Sequence, residues 1–168
     1  MAHTLGAYGP VLTVGQEGER LPPPLGAVRR QFTNEEWRAR VFHLMVEAPL
    51  ICVNLGRSHS LAEEIDRIKG SGHLRKTVFL LPPTSAIEQR YRLAILSDRL
   101  DIPWQFMDVE HKRSVLAVYV PAGQPYPVVV TGLAQEDVAY EVAMDFCAGL
   151  ALGRSMSPTL DQPARVDS

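Results

Sequence analysis

Several features that mark specialised classes of protein are scarce or absent here. The 168 residues include two cysteines, one in an apolar run (Cys52) and one in a helical pattern (Cys147). Two cysteines cannot form a disulfide framework, so we expect buried free thiols and a reducing, cytoplasmic compartment. The net charge of -2 indicates neither nucleic acid nor an anionic membrane as a partner. There is no secretory signal and no apolar run of about 18 residues, so we expect no membrane span in this chain. Any membrane association would use a partner or a segment outside this sequence.

The signatures of metal and phosphate sites are also missing. The five histidines show no metal-ligand spacing, and no H-x-x-x-H or C-x-x-C occurs, so no metal is predicted. There is no P-loop and no G-x-G-x-x-G. Ser58, His59 and Ser60 are adjacent on one loop without a G-x-S-x-G elbow, which favours a polar loop and a helix cap over a serine hydrolase.

What the sequence does have is an alternation of apolar strands with amphipathic helices. We expect strands at 10–15, 50–55 and 76–82, a hairpin from 114–120 and 127–132, and helices at 33–48, 61–69, 85–100 and 135–152. An irregular loop is predicted for residues 16–31. This order indicates one α/β domain over residues 10–153, with a mostly parallel, flavodoxin-like sheet, helices on both faces, and a C-terminal hairpin and helix. Residues 1–9 are expected to be flexible and residues 154–168 to be a disordered tail.

Ligands of parallel α/β sheets bind at the carboxyl ends of the strands. That rule predicts one crevice formed by the loop after Gly15, the loop 56–60 and the turn after residues 82–83. In the stretch "VGQEGE", the backbone amides around Gly15 and Gly18 could approach a phosphate, or the glycines could simply form a turn. Arg29 could supply positive charge to an anionic ligand, or it could be solvated surface.

Two adjacent acids begin the helix predicted at residues 61–69. Glu63 lies three residues after Ser60, the spacing of a capping box, so capping explains it. Glu64 falls on the border of the inward stripe formed by the apolar residues of this helix. A carboxylate there could be a nucleophile or a base facing the crevice, or an acid that complements the helix dipole.

Taken in order, several segments resemble a bacterial TIR-like domain of the kind found in uncharacterised membrane-linked proteins. The elements of the resemblance are a G-P-V strand, a G-E turn, a P-P-x-G-A loop, an acidic-Trp helix, an apolar strand ending in glycine, a Ser-containing helix start and a strand ending in Pro-Pro. They correspond to Gly9 to Gly15, Gly18-Glu19, Pro23 to Ala27, Glu36-Trp37, Leu50 to Gly56, Ser58 to Glu64, and Val78 to Pro83.

The resemblance implies a TIR-like sheet and, more distantly, a relation to TIR NAD glycohydrolases and nucleoside deoxyribosyltransferases. The catalytic glutamate of the former lies six residues beyond a serine, and here Glu64 lies six beyond Ser58. If the role of that glutamate applies to this chain, the resemblance implies that Glu64 acts at the anomeric carbon of a ribosyl group. Gly15 and the loop 16–30, with Gly18 and Arg29, would bind the nucleotide. Ser58 would bind ribose or phosphate, and two further positions of its loop, Gly56 and Ser60, would also contact the ligand.

This sequence departs from the family pattern at two positions, since Glu63 replaces a tryptophan and Ser60 a glycine. A second carboxylate beside Glu64 raises the cost of ionising either acid where both are poorly solvated. Two hypotheses follow. One is a nucleotide-binding domain that cleaves an N-glycosidic bond with Glu64, with NAD or a nucleotide as substrate and no resident cofactor. The other is a non-catalytic signalling or assembly module that self-associates.

Overall fold

A computed structural model describes residues 6–8, 10–16, 27–32, 34–56, 60–107, 109 and 113–153. Six strands and four helices follow one another along these residues. They are β1 (Val11–Gln16), β2 (Ala27–Phe32), α1 (Asn34–Glu47), β3 (Ile51–Asn54), α2 (Ser60–Gly70), β4 (Thr77–Leu80), α3 (Ala86–Leu100), β5 (Ser114–Tyr119), β6 (Val128–Gly132) and α4 (Asp137–Ala151). The α/β class is confirmed, and so are the C-terminal hairpin and helix. No helix in these ranges is both long enough and apolar enough to cross a membrane. The predicted tail 154–168 lies outside the described residues.

The four-stranded sheet is mixed, whereas a mostly parallel sheet was expected. Its order is β3-β4-β5-β6; β3 and β4 run parallel, and the other two pairings are antiparallel. The reason lies in the connection after α3. Residues there pack back against the core, among them Ile102, Trp104 and Met107. The chain therefore returns to the carboxyl end of β4 before β5 starts, and β5 must run antiparallel.

Helices cover both faces of this sheet, as predicted. On one face, α2 and α3 bury their apolar stripes against alternate strand residues such as Val53, Phe79 and Val118. On the other face, α4 packs against the intervening residues, such as Val78 and Leu80. Alternation along a strand assigns successive side chains to opposite faces. A bulge in β5 between residues 115 and 117 shifts this alternation by one.

The first two strands form a separate parallel pair in the described structure. The prediction of an irregular loop over residues 16–31 is wrong for residues 27–31, because Ala27–Phe32 is a strand, and for Gln16, which ends β1. Residues 17–26 of the predicted loop lie outside the described residues. Three consecutive prolines, which a strand interior does not accommodate, occupy positions 22–24 of the sequence, before the strand begins. Helix α1 packs against both β1 and β2. Its carboxyl end is tied to the larger sheet by Lys76, whose Nζ donates to the carbonyls of Val46 (3.0 Å) and Ala48 (2.8 Å).

Candidate functional site

The neighbouring parallel strands β3 and β4 end side by side, and the helices that follow them begin at the same edge. The backbone N–H of Leu55 donates to Leu80 O at 2.8 Å, so the pairing continues one residue past β3. Gly56 follows, with its N–H on Asn54 O at 2.8 Å. We call this region, with the turn at 81–84 and the first turns of α2 and α3, the carboxyl edge.

Glu64 lies on α2 directly after the first turn of the helix, next to this edge. It follows Leu61 by three residues and precedes Ile68 by four, and both of these are buried against the sheet. Glu64 itself is half-buried, whereas Glu63 is exposed. This agrees with the border position expected for Glu64, because each residue advances about 100° around the helix. The structure thus distinguishes the two adjacent acids: one faces solvent and the other lies where the helix meets the body of the domain.

A guanidinium reaches the same edge from α3. Arg92 Nη1 donates to the Leu55 carbonyl at 2.6 Å, and Arg92 Nε donates to Glu88 Oε1 at 2.9 Å. The side chains of Arg92 and Glu88 are only 11% and 12% exposed. A planar guanidinium suits such a position because its donors form a rigid fork. Arg92 therefore fixes the start of the loop between β3 and α2, and its charge is balanced by Glu88.

Gln135 closes the other side of the carboxyl edge. Its Oε1 accepts from the Thr84 backbone N–H at 2.6 Å, and its Nε2 donates to Thr84 O at 3.0 Å and to Ser114 Oγ at 2.9 Å. One amide thus joins the turn after β4, the start of β5 and the approach to α4. Three segments that are distant in sequence are held together where a ligand of an α/β sheet would bind.

The other predicted site residues divide into three groups. Gly56 lies at the carboxyl edge with Glu64. Gly15 and Arg29 lie on β1 and β2, the pair of strands that does not pair with β3 in the described structure. Arg29, expected in a loop, is a strand residue opposite Thr13. Three predictions fall outside the described residues: Gly18, Ser58 and the side chain of Ser60. The structure places two of the seven predicted site residues at one edge.

The two cysteines are free, as predicted. Cys147 is buried on α4, and burial raises the pKa of its thiol to about 12. Cys52 departs from the expectation of burial, because the residue is exposed on β3 at the end of the four-stranded sheet. Its thiol is nevertheless shielded, since burial raises the pKa of this group to about 12 as well. Its Sγ contacts Met144 Sδ at 3.9 Å. Within the residues that the structure describes, no three His, Cys, Asp or Glu side chains could together hold a metal ion.

Reasoning from the sequence missed Arg92 and Gln135. A signal existed for Arg92, because Glu88 and Arg92 are four residues apart on the helix that follows a predicted strand end, the spacing of a helical ion pair. The spacing of Ser85 and Glu88 also fits a helix cap, and the structure has that cap, with the Glu88 N–H donating to Ser85 Oγ at 3.3 Å. No local pattern marks Gln135, because its partners lie 51 and 21 residues away.

No family model, curated protein or solved structure matches this chain.

Proposed function

We propose that the chain is a nucleotide-binding, TIR-like domain that cleaves an N-glycosidic bond of NAD or a nucleoside, with Glu64 as the catalytic carboxylate. The observation that carries the proposal is the position of Glu64: half-buried on α2, the helix that follows the carboxyl end of β3, and about 100° around the helix from the exposed Glu63. Ligands of α/β sheets bind at such an edge.

The chemistry requires one carboxylate near the anomeric carbon. As the C1′–N bond breaks, its electron pair leaves with the base or with nicotinamide, and positive charge develops at C1′. The Glu64 carboxylate would stabilise this charge or form a glycosyl ester, which water then hydrolyses. The water oxygen bonds to C1′, and its proton passes to solvent or to the carboxylate.

Two further features support a ligand at the loop between β3 and α2. Arg92 holds the Leu55 carbonyl, directly before Gly56, and its guanidinium is paired with Glu88. Gly56 carries no side chain, so a ligand could approach its backbone closely. Under this proposal Arg92 is a positioning residue, because its assigned bonds hold the loop.

The test is nicotinamide release from NAD, and base release from nucleosides, by the parent chain and by Glu64→Gln. We expect release by the parent and a loss of at least about 100-fold in the variant, the effect of removing a positioned acid or base. Glu63→Gln is the matched control, since it makes the same change one residue away on the exposed side of α2, and it should retain release. Circular dichroism establishes that all three proteins are folded.

Equal rates for the parent and Glu64→Gln would contradict the assignment of Glu64, and no release from any substrate at high protein concentration would contradict the enzymatic proposal.

The second candidate, a non-catalytic assembly module, is favoured by apolar side chains exposed on α3. Ile87 is 84% and Tyr91 62% exposed, and their spacing of four residues puts them on one side of the helix. Loss of binding partners without loss of turnover in Tyr91→Ala would support it.

A further inference from the structure

The last strand of the sheet, β6, has an open edge. Its only partner among the described residues is β5, so its other side offers unpaired backbone donors and acceptors. All five of its residues, Val128–Gly132, are half-exposed. Such an edge is a template for another strand, and natural proteins usually protect it with charges, with proline or with a bulge. The bulge of this hairpin is in β5, which leaves β6 regular.

Charge is absent from the whole hairpin. Between Arg113 and Glu136 the chain contains no Asp, Glu, Lys, Arg or His, although charged residues make up 21% of the protein. An edge strand that remains exposed to solvent in the functional state is expected to carry charged residues. The composition of β6 and its flanks therefore indicates a strand that is covered by an uncharged partner.

Helix α4, which covers one face of the sheet, also presents uncharged residues toward β6 and acidic residues away from it. Asp137, Glu141 and Asp145 are four residues apart and share one side of α4. That side faces away from β6, because the adjacent Met144 contacts Cys52 on β3, at the far end of the sheet. The opposite side carries Ala139, Val142 and Phe146. Ala139 and Phe146 join the cluster that contains Val128 and Val130 of β6, and Val142 is exposed.

The opposite face of the sheet is equally apolar near this edge. Val129 packs with the cluster beneath α2 and α3. The rings of Phe106 and Tyr126 lie 4.6 Å apart, and Tyr126 is exposed beside the start of β6. Both faces thus extend an uncharged surface up to the open strand edge.

We propose that β6 pairs with β6 of a second copy of this chain. An antiparallel pairing centred on Val130 matches the whole strand with itself, with Val128 opposite Gly132 of the other copy. The interface is isologous, as expected for a two-fold dimer. Two four-stranded sheets become one sheet of eight strands, and uncharged surface meets uncharged surface on both faces. The acidic sides of the two α4 helices point away from each other.

A second copy fits better than an unrelated charged strand, because a charged residue entering this interface would find no partner between Arg113 and Glu136 and would be desolvated at a cost. The proposal is independent of the reaction proposed for Glu64, since α2 and the carboxyl end of β3 lie at the other end of the sheet.

The test is sedimentation equilibrium of the 168-residue chain across a concentration series. We expect a species of twice the 18.6 kDa chain mass. Thr131→Lys places on β6 a charge of the kind that protects natural edge strands from pairing, so this variant should be monomeric. Val46→Lys is the matched control: Val46 is 55% exposed near the end of α1, the helix that leads into β3 at the other end of the sheet, and this variant should remain a dimer.

Hydrogen exchange of the parent at low and high concentration gives a readout that does not depend on any variant. Amides of β6 should become protected as the concentration rises, whereas those of α2 should not change. A parent that stays monomeric overturns the proposal, and so does a dimer that survives Thr131→Lys or whose β6 amides gain no protection. Nicotinamide release by Thr131→Lys, if the parent shows it, separates this result from the fate of Glu64.

Discussion

The two faces of the four-stranded sheet are held by different kinds of contact. On the face covered by α2 and α3, helix side chains bond directly to backbone. Gln89 spans the start of β5, donating from Nε2 to Val115 O (2.8 Å) and accepting from Val115 N–H at Oε1 (3.0 Å), and Arg92 binds Leu55 O. On the other face, α4 meets the sheet through apolar contacts and the contact between Cys52 and Met144.

The comparison shows which contacts require specific geometry and which require only that apolar side chains fill the space. Buried polar groups fix an arrangement because a displaced partner leaves a donor or acceptor without water. Apolar packing tolerates exchanges of similar volume. The face with the polar contacts adjoins the carboxyl edge, so the candidate site rests on the side of the sheet whose loops are held most specifically.

The largest effect should come from breaking the ion pair of that face. Arg92→Met leaves the nearly buried Glu88 carboxylate without its guanidinium and Leu55 O without a donor. Breaking one partner of a buried pair costs about 3–5 kcal/mol of unfolding free energy, and we expect the lower half of that range, measured by urea denaturation. Arg99→Met is the control: the pair between Arg99 and Asp66 is exposed, so its loss should cost less than about 1 kcal/mol. Equal losses of unfolding free energy in Arg92→Met and Arg99→Met would mean that the nearly buried pair is no more important to stability than the exposed one.

The second prediction concerns the amide that holds β5. Gln89→Leu replaces the amide with an apolar side chain of similar size and leaves the N–H and C=O of Val115 buried without their partner. Each unsatisfied group costs about 1–3 kcal/mol, so we expect a loss of about 2–3 kcal/mol after local relaxation. Gln105→Leu, at an exposed position, should change stability by less than about 0.5 kcal/mol. A neutral Gln89→Leu would mean that the bulge in β5 is held by packing alone.

These contacts also show what could be predicted from the sequence. Local patterns give the helices, the hairpin, the Ser85 cap and the border position of Glu64, because periodicity and capping act over a few residues. They do not give the pairing of β1 with β2, the antiparallel β5, or the bonds from Gln89 and Gln135. Those depend on segments brought together by the fold, 26 and 51 residues apart for the two glutamines. Half of the candidate site, the Glu64 side, is local and was predicted; the Arg92 side needed the structure.

The third prediction tests the apolar face through pH. Burial raises the pKa of the Cys147 thiol from an ordinary 9.0 to about 12, so above pH 9 the unfolded chain loses this proton and the folded chain keeps it. The stability that the group contributes is complete below pH 9 and is lost as the pH rises. By pH 10 the loss should be about 1.4 kcal/mol relative to pH 8. The free energy of unfolding, measured by urea denaturation at pH 8 and at pH 10, should therefore fall by about 1.4 kcal/mol less in Cys147→Ala than in the parent. The same slope in both proteins would contradict a protonated, buried thiol.

The smallest effect should have the opposite sign. Tyr140 is a buried residue of α4, and its hydroxyl has no hydrogen-bond partner among the described residues. Removing an unsatisfied buried polar group recovers its desolvation cost, so Tyr140→Phe should stabilise the protein by about 1 kcal/mol. Tyr119 provides the matched control on the same face, because its hydroxyl donates to Arg75 O at 2.9 Å. Tyr119→Phe should therefore destabilise by about 1 kcal/mol. If both variants destabilise equally in thermal and urea denaturation, the Tyr140 hydroxyl has a partner, and the α4 face is held by polar contacts as specifically as the face of α2 and α3.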